Sequence, residues 1–278
     1  MMHPLLEGSY DLHVHTAPDV SARKCSDIEL AHRLVQAGMK GCVIKSHYFE
    51  TATRAALLRE QFPDLEVFGG IALNRSVGGM NPYAIERLVQ VGGKFVWFPT
   101  MDALHYQRYQ HRNDQAADLG AFLSIWDKDY NLLPEVRMVL ELAAEHDLII
   151  CTGHISSVEG LALLAEGARL GVTKMIVTHA DNPANQYTIK QQKEAVQLGA
   201  FIEHCYFTTY YGRTPIADIV QQIQSVGTQN VLLSTDFGQI SSPYSDEGMN
   251  EYAEALLENG LTEKEIRQMI CDNPKQIL

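Results

Sequence analysis

A repeated run limits what this chain can fold into more than any other feature. Short apolar segments rich in β-branched and aromatic residues recur eight times, separated by helical patterns. They fall at 10–15 (YDLHVH), 41–45 (GCVIK), 66–72 (EVFGGIA), 94–100 (KFVWFPT), 148–153 (LIICTG), 174–179 (KMIVTH), 200–205 (AFIEHC) and 231–236 (VLLSTD). Successive starts lie 31, 25, 28, 54, 26, 26 and 31 residues apart. A strand–helix unit takes about 30 residues, so the chain reads as eight units with one interval nearly doubled. Near-continuous apolar strands suit a parallel sheet buried on both faces.

The intervening segments carry helix punctuation. Ser26 precedes DIELAHRLVQA and Gly38 follows it, while Asn81-Pro82 opens YAIERLVQV. Ser157 precedes VEGLALLAEGARL, closed by Gly171, and Thr188 starts IKQQKEAVQL, closed by Gly199. Thr262 and Glu265 form a capping box ahead of the last helix. Eight strands alternating with helices predict an α/β chain folded as a (β/α)8 TIM-type barrel, with an open doubly wound sheet as runner-up. No G-x-G-x-x-G follows any strand, which counts against the open nucleotide-binding sheet. The wide interval, residues 101–147, reads as an insert between strands 4 and 5, a short β-hairpin plus a lid over the site, followed by a helix. Without a Ser/Gly linker or low-complexity tract, residues 1–278 are expected to form one domain.

Composition narrows the function classes. With 22 Lys+Arg against 34 Asp+Glu the net charge is −12, which argues against nucleic acid or an anionic membrane as partner. No apolar run approaches the ~18 residues of a membrane span. The opening MMHPLLEGSY lacks the basic and apolar regions of a secretory leader, and five cysteines without a C-x-x-C fit reduced thiols. A cytoplasmic protein is expected, acting on a small molecule and able to form a homo-oligomer.

The histidines organise this reading. Active sites of such barrels lie at the C-terminal strand ends. His13 and His15 end the first run, Lys45 ends the second with His47 just beyond, His154 follows the fifth, and His179 and Asp236 close the sixth and eighth. The remaining histidines (3, 32, 105, 111, 146 and 204) lie in the leader, helices, the insert or within a strand. Residues i and i+2 of a strand share a face, so His13 and His15 can aim at one ion. Neutral imidazoles with a carboxylate suit Zn²⁺ first, or Mn²⁺ or Fe²⁺, rather than Ca²⁺.

The motifs D-L-H-V-H at 11–15, T-G-H at 152–154, T-H-A-D at 178–181 and S-T-D at 234–236 resemble the amidohydrolase superfamily. The Asn273-Pro274 turn near the end is similar as well. The resemblance implies a metal set of His13, His15, His154, His179 and Asp236, with Asp236 also moving protons. It implies one ion or two. Binuclear members commonly take a Lys or Glu from strand 4, and here that strand ends F-P-T-M-D without either. Lys45 could supply the missing bridge if carboxylated.

An ion held this way lowers the pKa of a bound water from about 15.7 to about 7. Asp236 is then a general base, and His179 a ligand or a donor to the developing oxyanion. Lys45 could alternatively bind a substrate anion, form a Schiff base, or simply snorkel to solvent. His47, Arg23, Asp19 and Thr100 are weaker substrate-contact candidates, and Asp102 could line the pocket. Asp19 and Arg23 could equally be a solvated ion pair. Glu203 and His204 cannot both face inward, and Cys151 and Cys205 read as small buried hydrophobes. The expected function is a metal-dependent hydrolase cleaving a C–N or ester bond. Rivals are a metal-dependent decarboxylase, a phosphoesterase of the polymerase-and-histidinol-phosphatase type, a Schiff-base aldolase, and a non-catalytic metal-binding barrel.

Overall fold

The computed structural model describes residues 4–114, 116–185 and 187–278, and His3 lies outside them. The first half runs β1 (Tyr10–Val14), α1 (Asp27–Ala37), β2 (Gly41–Ile44), α2 (Ala52–Gln61), β3 (Glu66–Ala72), α3 (Pro82–Gln90), β4 (Phe95–Trp97), α4 (Leu104–Gln110) and α5 (Pro134–Glu145). The second half runs β5 (Ile149–Cys151), α6 (Ser157–Leu170), β6 (Met175–Val177), α7 (Ile189–Gln197), β7 (Ala200–Cys205), α8 (Tyr206–Tyr210), α9 (Ile216–Val226) and β8 (Val231–Ser234). Three helices follow: α10 (Ser245–Glu258), α11 (Glu263–Arg267) and α12 (Asn273–Ile277).

The strands lie in sequence order, each parallel to the next. The ring closes where β1 meets the chain just past β8. Asp236 N–H donates to the His13 carbonyl at 2.8 Å and His15 N–H to the Phe237 carbonyl at 2.7 Å. This is the (β/α)8 barrel that the eightfold rhythm predicts. No described helix is long and apolar enough to cross a membrane.

Strand alternation sorts side chains into two cores. Tyr10, Leu12, Val43, Phe95, Trp97, Ile149, Ile176 and Leu232 pack together in the lumen. Their neighbours along the strands, such as Ile44, Val96, Ile150, Val177 and Leu233, face the helices. In β1 the register slips by one residue between Asp11 and Val14. This bulge lets Leu12 and His13 both contribute to the lumen side, and His15 follows on the same side.

Asp11, pointing the other way, is fully buried and ties the seam. It accepts from Thr235 Oγ1 (2.5 Å), Ser245 Oγ (2.6 Å), Thr235 N (3.1 Å) and His13 N (3.2 Å). One carboxylate thereby links β1, the end of β8 and the start of α10.

Several boundaries differ from the sequence expectation. Strands 2, 5, 6 and 8 stop at Ile44, Cys151, Val177 and Ser234, so Lys45, His154, His179 and Asp236 sit in the turns that follow. The cap of α6 is Ser156 rather than Ser157: its hydroxyl accepts from Glu159 N, and the Glu159 carboxylate accepts from Ser156 N. The expected hairpin in the insert is reduced to one antiparallel bridge, Trp126 to Leu132, and a parallel bridge ties Leu123 to Ala103.

Candidate metal centre

The turns that end the strands aim the site. His179 and Asp236 adopt left-handed backbone, with φ of 52° and 55°. Away from glycine this is uncommon, and such conformations cluster at functional sites. In T-G-H, Gly153 has φ of 63°, and a Cβ there would stand 2.1 Å from the Phe98 carbonyl oxygen. Only glycine fits that close approach, and it sets His154 against β4, where its N–H bonds the Pro99 carbonyl at 2.9 Å.

Three of the predicted histidines converge on the carboxylate of a fourth predicted residue. Asp236 Oδ1 lies 3.1 Å from His13 Nε2 and 3.0 Å from His15 Nε2, and Oδ2 lies 3.7 Å from His179 Nε2. The ring of His154 sits 5.3 Å from that of His179, and the ring of His47 is 4.9 Å from His15 and 5.8 Å from His154. Beneath them, Lys45 Nζ stands 2.9 Å from His13 Nε2. Both oxygens of Glu203 are 3.3 Å from His13 Nδ1, and Ser234 Oγ donates to Glu203 at 2.9 Å.

Burial dominates the electrostatics. It pushes His15 down to about 4, and holds His47, His154 and His179 well below the usual imidazole range. These four are neutral at pH 7. His13 departs from them. Burial and Lys45 push it down, but Asp236 and Glu203 outweigh both and hold it above its ordinary value. Burial raises Asp236, yet His13 and His179 keep it well below the carboxylate range. The surroundings therefore favour a positive charge at the centre of this group.

The residues fit a divalent ion. His13, His15 and Asp236 bring donor atoms within 4.8 Å of one another, as do His13, His179, Glu203 and Cys205. Nδ1 of His15, His154 and His179 is buried without a partner among the described residues. Borderline imidazole nitrogens beside a carboxylate are the donor chemistry of Zn²⁺, Mn²⁺ or Fe²⁺.

A cavity of about 140 Å³ opens above this group, lined by His15, His47, His154, His179 and Asp236 from the set and by Arg23, Tyr106, Asn182, Arg213 and Gln239 around it. Lys45 is not among its lining residues and is wholly buried, so it cannot snorkel. Thr100 and Asp102 do not line the cavity either; Met101 between them does. Thr100 instead supports His47, and Asp102 accepts from Arg75 N at 2.8 Å. The Asp19–Arg23 pair is buried rather than solvated, and Asp19 also accepts from Ser46 Oγ.

Glu203 faces the lumen, while His204 faces outward to pair with Asp181 at 3.1 Å. Cys151 and Cys205 are buried free thiols, and Cys205 Sγ lies 3.9 Å from His13 Nδ1. Asn74, Tyr106 and Arg213 escaped sequence reasoning because no motif marks them. The ring of Tyr106, from the insert, lies 4.8 Å from that of His154, tilted by 49°.

A family model matches residues 8–203. The chain belongs to that family of unknown function, DUF6282. The matched part of this DUF6282 chain runs from just before β1 to β7 and includes His13, His15, Lys45, His47, His154, His179 and Glu203. No curated protein matches it. Among solved structures, the DUF6282 chain is similar in fold to an amidohydrolase from Pseudomonas aeruginosa, with a TM-score of 0.65, 13% identity, and 98% and 96% of the two chains covered. A TatD homologue from Escherichia coli gives 0.61, 17%, and 99% and 98%. A phosphotriesterase homology protein from Escherichia coli, solved with phosphate in its active site, gives 0.63, 16%, and 98% of each chain.

Proposed function

We propose that this protein is a metal-dependent hydrolase of the amidohydrolase type that cleaves a C–N or ester bond of a small molecule. The observation that carries the reading is Asp236, at the end of β8, whose carboxylate faces ring nitrogens of His13 and His15 from β1 and of His179 from the end of β6. Those residues and His154 would hold the ion, zinc by the donor chemistry. A divalent ion bound there supplies Lewis-acid polarisation and acidifies water.

Asp236 borders the cavity on one side and the imidazoles on the other. Held ionised at neutral pH, it can take a proton from water and return it to the leaving group. His47 offers a second polar contact. Asn74 Oδ1 accepts from the N–H groups of Thr100 and Asp102, so its Nδ2 donates to Thr100 Oγ1 at 2.7 Å. The Thr100 hydroxyl must then donate to His47 Nδ1 at 2.8 Å. That fixes the neutral tautomer with its proton on Nε2, a hydrogen-bond donor available to a substrate oxygen that gains charge. Tyr106 and Met101 add apolar surface to the cavity lining.

Elemental analysis of the purified protein tests this directly, followed by a panel of amides, esters, lactones and phosphotriesters. About one or two transition-metal ions per chain are expected, together with turnover that chelation abolishes. Protein without stoichiometric metal and without affinity for added Zn²⁺ or Mn²⁺ would falsify the reading. Release of carbon dioxide from a carboxylic acid would favour the decarboxylase instead.

A further inference from the structure

We infer that the substrate is a small organic anion, carrying a carboxylate or a phosphate, and that Arg213 is the group that grips it. The inference deepens the hydrolase reading and rests on it for the identity of the site. Arg213 follows α8 and lines the cavity together with Tyr106 and Arg23. Its guanidinium carbon lies 4.8 Å over the centre of the Phe207 ring, a cation–π contact that uses none of its N–H groups. Among the described residues it has no carboxylate partner.

Arg23 is different. Asp19 takes its Nε at 2.7 Å and its Nη2 at 2.5 Å, so its charge is already matched and it is not free to chelate.

The charge balance of the lining points the same way. Two arginines and one carboxylate border the cavity; the carboxylate is already engaged by three imidazoles and Arg23 by Asp19, which leaves Arg213 as the lining charge without an opposite partner among the described residues. This occurs on a chain of net charge −12, where the mouth of the site runs against the overall sign. A cavity of about 140 Å³ has room for a few heavy atoms beyond the scissile group, not for a long chain. A planar, forked guanidinium at its edge matches a carboxylate or phosphate in two-point contact. Asn182 and Gln239 add neutral polar groups to the lining.

The probes are inorganic phosphate and succinate, titrated calorimetrically into protein stripped by chelator and into protein reloaded with Zn²⁺. The proteins compared are wild type, Arg213→Gln and Arg213→Lys. Arg213 is exposed, so both substitutions are expected to leave the fold intact, with Tm and metal content as checks. Wild type should bind at least one of the two anions in the stripped form. Arg213→Gln should weaken that binding about tenfold or more, and Arg213→Lys should restore part of it. Preference for succinate assigns a carboxylate substrate, and preference for phosphate a phosphate ester. Equal binding by wild type and Arg213→Gln, or binding that appears only with Zn²⁺ and ignores the substitution, overturns the inference while leaving the metal reading intact. Arg213-dependent anion binding in a protein that takes up no metal overturns the hydrolase reading and keeps the anion site.

Discussion

Both carboxylate oxygens of Glu203 stand 3.3 Å from Nδ1 of His13, deep in the lumen below the cavity. A neutral His13 held this way carries its proton on Nδ1 and turns the bare Nε2 toward Asp236 and His15. Outer partners of this kind orient a ligand and raise its basicity.

Glu203→Gln keeps the size and removes the charge. It should lower Zn²⁺ affinity about 10- to 100-fold in a chelator competition assay, with little change in fold by circular dichroism. Unchanged affinity would make Glu203 a filler of the lumen and nothing more.

Glu203 also marks where sequence reading stopped. The eightfold rhythm was legible because strand runs and cap residues are local signals, and the histidines were legible because they recur at the same point of each unit. The inward side of β7 was not. AFIEHC is apolar on both faces, so parity alone could not choose between Glu203 and His204; the choice is made by packing against His13 and Asp181. Arg213, Tyr106 and Asn74 sit in loops or short helices whose paths depend on distant packing. The slip in β1 was equally hidden, since a bulge has no glycine or proline signature there.

Asp11 joins stability to function. Asp11→Ala would leave two hydroxyls and two backbone N–H groups without their buried acceptor, at about 1–3 kcal/mol each when fully orphaned. A loss of about 4 kcal/mol or more is expected, together with weaker metal uptake, because the same seam fixes His13 beside Asp236. Asp11→Asn retains an acceptor and should lose less. Urea denaturation measures both, and a wild-type midpoint for Asp11→Ala would show that the seam is held by other contacts.

The metal-free protein should lose stability as pH falls. Four buried imidazoles lie below 6.5 in the folded state, with His15 at about 4. As pH drops through 6.5 the unfolded chain takes up protons that the folded chain refuses, so stability is full above that value and drains away toward 4. His13, held above its ordinary value, counters them only above about 6.5, where the folded chain holds a proton that the unfolded chain has released; below that it is protonated in both states and cancels nothing. Each net proton is worth about 1.4 kcal/mol per pH unit. Unfolding of chelated protein between pH 7 and 5 should therefore steepen, and His47→Asn should flatten the slope by about one proton. A flat profile across that window is incompatible with buried neutral imidazoles.

The chain Asn74 to Thr100 to His47 makes a prediction about one proton. Asn74 consumes its oxygen on two backbone N–H groups and donates to Thr100, so Thr100 has only His47 Nδ1 to donate to. Nitrogen-15 NMR of the imidazoles should find His47 protonated on Nε2 in the wild type. Thr100→Val keeps the shape and deletes the donor, leaving Nδ1 without its partner and the tautomers free to mix. Turnover of any substrate found should fall about 10- to 100-fold, the span typical of losing one oriented donor or proton-transfer group. Metal content should stay unchanged, because Thr100 touches none of the proposed ligands. A wild-type His47 protonated on Nδ1 would contradict the hydrogen-bond chain at its first link, whatever the activity of the variant.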